Sequence, residues 1–221
     1  MDKIVELMPT KAKAIALLSG GIDSPVAIHL LQKKLDIIAV HFHQIPLTDE
    51  REREKVRELA THLGVQKLYL ISFADVFKNI VEQCDHRYYY ILGKILMYKV
   101  ACEIANREGA EFLVTGENLA QVSSQTLPSM FSITTQIELP LLRPLLCSEK
   151  QEIIDIAVQI GTYEISKGPE MCSLLGPKNP ITRARKHLVE RQLARLNVDS
   201  LIRGSLQGEK VELVESSSFE P

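Results

Sequence analysis

The sequence predicts an α/β protein, a parallel sheet with helices on both faces. Two observations carry this expectation. Short apolar runs alternate along the chain with longer stretches whose apolar residues recur at helical spacing. The clearest of those runs stop abruptly at glycine-bearing segments, as strands do where they deliver the chain to a loop.

In chain order, Lys13 to Leu18 forms the first apolar run, ending at Ser19-Gly20-Gly21. A helical pattern follows from Pro25 to about Lys34, then a second strand from Asp36 to Phe42. The charged stretch from Thr48 to Gly64 carries Val56, Leu59, Ala60 and Leu63 at helical spacing, with Asp49 and Glu52 placed as a capping box. Its charges are most simply a solvated helix face. Residues 67–71 read as a third strand, 75–84 and 89–106 as helices, and 112–116 as a fourth strand stopping at Gly116. The run 138–146 holds a candidate fifth strand, and Ser148 to Ile160 a helix stopped by Gly161. In such sheets ligands bind beyond the carboxyl ends of the strands, where strand order reverses. The residues to weigh are therefore 19–24, 41–44, 72–75, 116–125 and 143–150.

Composition narrows the class. The 221 residues are 45% hydrophobic and 24% charged, which excludes a fully disordered chain. A net charge of -2 gives no global case for a nucleic-acid binder, although a local patch can serve that role. Aromatics at 5%, with no Trp, argue against a surface built mainly of stacking platforms. Cys84, Cys102, Cys147 and Cys172 form no CxxC pair, so neither a zinc site nor a disulfide framework is expected. With no signal peptide and no apolar run near the roughly 20 residues of a bilayer span, a cytoplasmic protein is expected, with no membrane partner.

The segment Ser19-Gly20-Gly21-Ile22-Asp23-Ser24-Pro25 carries the strongest chemical signal. Two glycines let the backbone turn tightly and approach a ligand. Ser24 suits a helix N-cap and Pro25 the first helical position. Free N–H groups at the positive end of a helix would then receive a pyrophosphate. Asp23 would repel phosphate unless it helps to hold Mg2+ there. The segment lacks the GK[ST] ending of a Walker A loop, and its bland alternative is an ordinary strand-to-helix turn.

This SGGxDS segment resembles the PP-loop ATP pyrophosphatases, which cleave ATP to AMP and pyrophosphate while adenylating a substrate. Residues 114–127, Leu142 to Leu146 with Lys150, 152–162 and 169–184 resemble, in collinear order, the catalytic domain of the tRNA 4-thiouridine synthetases. The resemblance implies an adenine nucleotide alpha hydrolase-like fold, adenylation of a tRNA uridine O4, and displacement of AMP by sulfur to give 4-thiouridine. It places Leu17, Leu18, Ser19, Gly20, Gly21, Asp23, Ser24, His41, Phe42, Gly116 and Gln125 around ATP. Lys94 stands where relatives carry arginine, leaving a point charge without bidentate geometry. Lys150 corresponds to a catalytic lysine, and Cys172 to a cysteine of sulfur delivery, with an inert cysteine as the alternative.

The chain departs from the fuller relatives in three ways. About a dozen residues precede the first strand, where relatives carry a tRNA-gripping module. No rhodanese domain is expected, and Leu175 replaces the second cysteine of the CxxC that some relatives carry. The expected organisation is a lead (1–12), a PP-loop domain (13–175), a basic helical extension (176–210) and an acidic flexible tail (211–221). From Lys178 to Arg203, seven Lys/Arg stand against Glu190 and Asp199, a net of +5. That segment could track a phosphate backbone or simply be solvated. The partners expected are tRNA, through a separate docking protein, and a persulfide donor, with a homodimer as a further expectation. The alternatives are a PP-loop enzyme adenylating a small molecule in thiamine-type cofactor synthesis, and a non-catalytic nucleotide-binding module.

Overall fold

The strands run β1 (Lys13–Leu17), β2 (Asp36–His43), β3 (Lys67–Ser72), β4 (Phe112–Val114), β5 (Leu141–Leu142) and β6 (Lys210–Leu213). The helices are α1 (Asp23–Gln32), α2 (Arg51–His62), α3 (Ala74–Gln83), α4 (Tyr89–Glu108), α5 (Leu127–Thr134), α6 (Lys150–Gln159), α7 (Tyr163–Ser166), α8 (Lys186–Leu193) and α9 (Val198–Gln207). The computed structural model describes residues 11–45, 50–167 and 175–214.

Side chains on β1 to β3 alternate between two apolar layers. Ala14, Ala16, Ile37, Ala39, Leu68 and Leu70 pack with residues of α1, α2 and α6. Ile15, Ile38, Val40, Tyr69 and Ile71 pack with α3, α4, α5, α8 and α9. Burial on both faces is why these strands are apolar runs and not half polar. α4 is apolar around much of its circumference, and Tyr89, Ile91, Leu92, Ile95, Leu96 and Tyr98 are all buried. It fills the space beneath the sheet, and Gly109 ends it in the left-handed region at φ +67°.

The strand order is β5-β4-β1-β2-β3-β6. Strands β1 to β5 pair in parallel, with Ile15 opposite both Ile38 and Leu113. The chain steps outward from β1 to β3, then returns to lay β4 on the other side of β1. Order therefore reverses between β1 and β4, and a crevice opens beyond their carboxyl ends. A hollow of about 930 Å³ lies at the opposite end of the strands, lined by Lys13, Asp36, Gly64 and Glu111 among others. The topology, and the glycine loops after β1 and β4, favour the carboxyl end as the site.

Three expectations need correction. The tail is not frayed from 211: β6 pairs antiparallel with β3, Lys67 opposite Leu213, and Arg57 grips Glu212 with two hydrogen bonds of 2.7 and 2.8 Å. Four residues of mixed polarity on a sheet edge give little periodic signal, which is why the strand escaped notice. In the basic segment 178–203 helix begins only at Lys186, in α8, and breaks at 194–197 before α9, with Ala184, Leu193 and Leu196 turned into the core. The charge run on α2 is only partly a solvated face, since Arg53 bonds Glu50 and Lys55 and Arg57 reach other elements.

Gly93, inside α4, lets Phe77 lie against the helix; an added Cβ would come within 2.6 Å of that ring. Phe77 is itself wedged between Phe73 and Tyr89 and has nowhere to go. Gly93→Ala is therefore expected to lower stability by about 1–3 kcal/mol in urea unfolding, through overpacking. Gly204→Ala in α9, with nothing near its Cβ, should instead stabilise by up to about 1 kcal/mol through helix propensity. Equal gains at both positions would show that the Phe77 contact is not a constraint.

Candidate active site

Beyond Leu17 the chain leaves the sheet gradually: Leu18 N still donates to Val40 O at 2.9 Å. Ser24 then closes the loop from within. Its Oγ accepts from Ser19 N at 2.9 Å and lies 3.0 Å from Ser19 Oγ and 3.2 Å from Ser19 O. Gly21 N donates to Ser19 Oγ at 3.3 Å. Ser24 is thus not the helix cap its position suggested. α1 begins two residues earlier, at Asp23, Ile22 takes the cap position, and the Ser24 hydroxyl is engaged in holding the loop. Asp23 consequently falls in the first turn, where a carboxylate is favoured by the helix dipole.

The loop after β4 meets this turn directly. A Cβ on Gly116 would stand 2.6 Å from Asp23 C and from Ser24 N, so no side chain fits there. The following residues are laced to the segment after β5. Thr115 N bonds Leu142 O, Leu119 N bonds Leu146 O, and Asn118 Nδ2 donates to Ser148 O at 2.6 Å. Ala120 takes φ +63° to turn the loop back, and its N–H donates to Gln125 O. Gln125 Oε1 is buried without a hydrogen-bond partner among the described residues.

That lacing delivers Lys150 to the crevice. It is the first residue of α6, after a capping box between Glu149 and Glu152, and its Nζ lies 2.7 Å from Asp23 Oδ1. A lysine at a helix N-terminus opposes the dipole. Asp23 offsets that cost across 127 residues of sequence. The pair is half open to solvent, so it is exchangeable.

His41 lies under the loop. Its Nδ1 sits 3.0 Å from Leu18 O, which makes it the protonated nitrogen of a neutral ring. Burial pushes its pKa down to about 4 against that hydrogen bond, and leaves Nε2 a buried acceptor with no partner among the described residues. Phe42 packs edge-on against Phe73 at 4.8 Å between ring centres. Lys94 reaches up from α4 to Glu117 Oε1 at 2.5 Å, and Arg143 holds Glu117 Oε2 at 2.7 Å and Thr134 Oγ1 at 2.9 Å. Burial alone would raise the Glu117 carboxyl, but the two cations outweigh it and hold it below its usual range. One buried anion thus sits between two cations, a net of +1 beside Gly116.

The structure therefore brings Ser19 to Ser24, Gly116 and Lys150 into direct contact, with Leu17, Leu18, His41 and Phe42 along the adjoining strand ends. Lys94 comes in through Glu117, and Gln125 through its own loop. Cys172 lies outside the described residues. Cys84 and Cys102 are half-buried thiols whose pKa burial raises, whereas Cys147 is exposed. Glu117 and Arg143 were not singled out from sequence, although both lie inside segments that were. Among the described residues no three His, Cys, Asp or Glu side chains gather as a metal site. Asp23 offers one carboxylate, which fits Mg2+ held chiefly by phosphates and water. Among the described residues no helix is long and apolar enough to cross a membrane.

Residues 9–198 match the family described as Thiamine biosynthesis protein (ThiI), and the chain belongs to that family. It is 41% identical over 212 residues to a "Probable tRNA sulfurtransferase" of Alkaliphilus metalliredigens (strain QYMF), covering 93% of this chain and 54% of the relative. A protein of the same name from Moorella thermoacetica is 40% identical over 210 residues, with 92% and 54% covered. The chain thus spans about half the length of the curated relatives it matches. A solved structure described as "Crystal structure of a 4-thiouridine synthetase - RNA complex with bound ATP" superposes with a TM-score of 0.87 at 35% identity, over 92% of this chain and 55% of that one. The NH3-dependent NAD synthetase of Campylobacter jejuni shares the fold, with a TM-score of 0.54 at 11% identity over 93% of this chain and 87% of that one. The expected fold class and family are both borne out.

The neutral state of His41 has a measurable cost. Its folded pKa is depressed to about 4 from an ordinary 6.5, so the unfolded chain binds the proton first as pH falls. Stability should fall between pH 6.5 and 4, with His41 contributing roughly 3 kcal/mol of that loss. His41→Asn, which keeps a donor toward Leu18 O, should flatten the profile in that window. His43, also held at about 4, leaves part of the slope in place. An unchanged slope in the variant would show that His41 is not buried neutral.

Proposed function

We propose that this chain is the catalytic part of an ATP-dependent, AMP-forming sulfurtransferase that converts a tRNA uridine to 4-thiouridine. One observation carries the reading: a self-bonded phosphate loop at the switch point, with Asp23 and Lys150 paired at its mouth and Gly116 flush against it. In the reaction, O4 of the uracil ring attacks the α-phosphorus of ATP, and the bond to the bridging oxygen breaks to release pyrophosphate. Sulfur then attacks C4, and AMP leaves with the oxygen. Adenylation is what makes that oxygen a leaving group.

The residues divide the work. Backbone N–H groups of the loop other than those of Ser19 and Gly21, which its internal bonds engage, receive the phosphates at the positive end of α1. Asp23 holds Mg2+, which supplies charge neutralisation on the phosphates. Lys150, released from Asp23, stabilises charge building in the transition state. Leu17, Leu18, His41 and Phe42 wall the nucleoside, and the two orphaned acceptors, His41 Nε2 and Gln125 Oε1, suit donors on a bound base. Lys94 adds a point charge steadied by Glu117. Cys172 takes the outer sulfur of a persulfide donor, whose thiol leaves; that sulfur attacks C4, and a further thiol then takes the Cys172 sulfur into a disulfide, releasing the thiouridine. The seven exposed cations from Lys178 to Arg203 would track the tRNA backbone, alongside a docking protein or a second copy of the chain in a homodimer. The setting is the cytoplasm.

A second reading, adenylation of a small molecule on the way to a sulfur-containing cofactor, draws on the thiamine in the family's description. A non-catalytic nucleotide module is disfavoured by Lys150, which a sensor would not need at the loop mouth.

Purified protein with Mg2+ and labelled ATP should release AMP in response to unmodified tRNA, and with a persulfide donor should give tRNA retarded on a thiol-sensing gel. Asp23→Ala and Lys150→Ala should each lower AMP formation by on the order of 10²-fold or more. Cys172→Ser should leave adenylation intact and stop thiolation. AMP release indifferent to tRNA would move the substrate to a small molecule, and normal thiolation by the Cys172 variant would remove that residue from sulfur transfer.

A further inference from the structure

Lys55 stands apart from the other cations of α2. Its stem crosses the phosphate loop so closely that a Cβ on Gly20 would meet Lys55 Cδ at 3.0 Å. Its Nζ donates to Ser166 O at 3.2 Å and approaches Lys167 O at 3.5 Å. Among the described residues it has no carboxylate partner, unlike Arg53, Arg57, Lys94, Arg143 and Lys150. Ser166 in turn is buried, and its Oγ lies 3.3 Å from Gly21 O. The loop's glycines are thus bracketed by a half-buried ammonium and the helix end that holds it.

Among the described residues, a cation in that place has a weak partner and no anion. Two neutral carbonyls at 3.2 and 3.5 Å are long for an ammonium. A phosphate oxygen carries a charge of its own and would add ion-pair attraction that a neutral carbonyl does not. The last two torsions of the side chain let Nζ leave the carbonyls while Cδ stays on Gly20. Gly20 itself is explained by the same contact, since any side chain there would push the lysine stem away.

We propose that Lys55 is a second phosphate-binding cation of the site, engaging the part of the triphosphate that leaves as pyrophosphate. Lys150, across the loop mouth on Asp23, takes the other side, and the two lysines bracket the polyphosphate. The assignment rests on the ATP reading above and extends it to a residue that the charge run had hidden.

The test measures binding of ATP, AMP and inorganic pyrophosphate, each with Mg2+, to the wild-type chain, Lys55→Met and Lys55→Arg. Lys55→Met keeps the apolar stem on Gly20 and removes only the charge. ATP and pyrophosphate should each bind about tenfold more weakly to it, as for loss of one hydrogen bond to a charged group. AMP affinity should move by less than about twofold on the same reasoning, and Lys55→Arg should restore ATP binding. Equal weakening of ATP and AMP, with a lowered Tm, would mean a merely structural lysine and overturn the proposal. So would unchanged ATP binding by Lys55→Met. A wild-type chain that binds AMP and ATP equally well also overturns it, whereas one that binds no adenine nucleotide sinks the ATP reading itself. If Lys55→Met does not fold, Lys55→Gln in the same three titrations decides between these outcomes.

Discussion

The contact between Gly116 and the first turn of α1 is the constraint on which the site depends. At 2.6 Å from two backbone atoms of Asp23 and Ser24, the position admits hydrogen and nothing larger. It joins the loop after β4 to the loop after β1, the two strands between which sheet order reverses. Every other feature of the crevice is placed relative to that junction. The lacing of residues 115–119 to 142–148 carries Lys150 to Asp23 only because the β4 loop is already seated on α1. A methyl group at 116 would have to part the strand ends or displace the helix start, and close-packed interiors do neither cheaply.

Electrostatics then separates two kinds of charged pair. Glu117 is buried between Lys94 and Arg143, where removing any partner leaves an uncompensated charge and is costly. Such a cluster fixes geometry and holds a net positive charge next to the junction. Asp23 and Lys150 form one bond at the surface, worth little in itself. The contrast has a physical sense. A pair that must open for metal and phosphate has to be weak, while the group that holds the walls in register has to be strong.

Most of the architecture was legible because it follows from periodicity. Apolar runs gave β1 to β4, those of β1 and β4 stopping at glycines, and helical spacing gave α1, α2, α4 and α6 to within a few residues. What periodicity cannot see was missed. β6 has four residues at an edge and is held by Arg57 on Glu212 and by β3, partners 155 or fewer positions away that no local window contains. Ser24 reads locally as a cap because cap chemistry and loop chemistry use the same hydroxyl. Only the three-dimensional closeness of Ser19 decides between them. At the site, SGGxDS, Gly116 and Lys150 were legible as motifs. Glu117 lay unread in a segment already marked, since a carboxylate beside expected phosphates makes sense only once its two cations are seen.

Lys55 shows the same limit more sharply. In sequence it is one charge in a run of alternating signs, and a solvated helix face explains all of them at once. The fold breaks that equivalence, because helical spacing turns Val56, Leu59 and Ala60 into the core and leaves their neighbours at the rim of the buried face. From that rim Arg57 finds β6, Arg53 finds Glu50, and Lys55 meets the glycine turn. A rim position suits a long cation, whose methylene stem packs on backbone while its head stays near water. Charge on α2 is therefore sorted by geometry, and Lys55, for which the described residues hold no anion, lies on the phosphate loop.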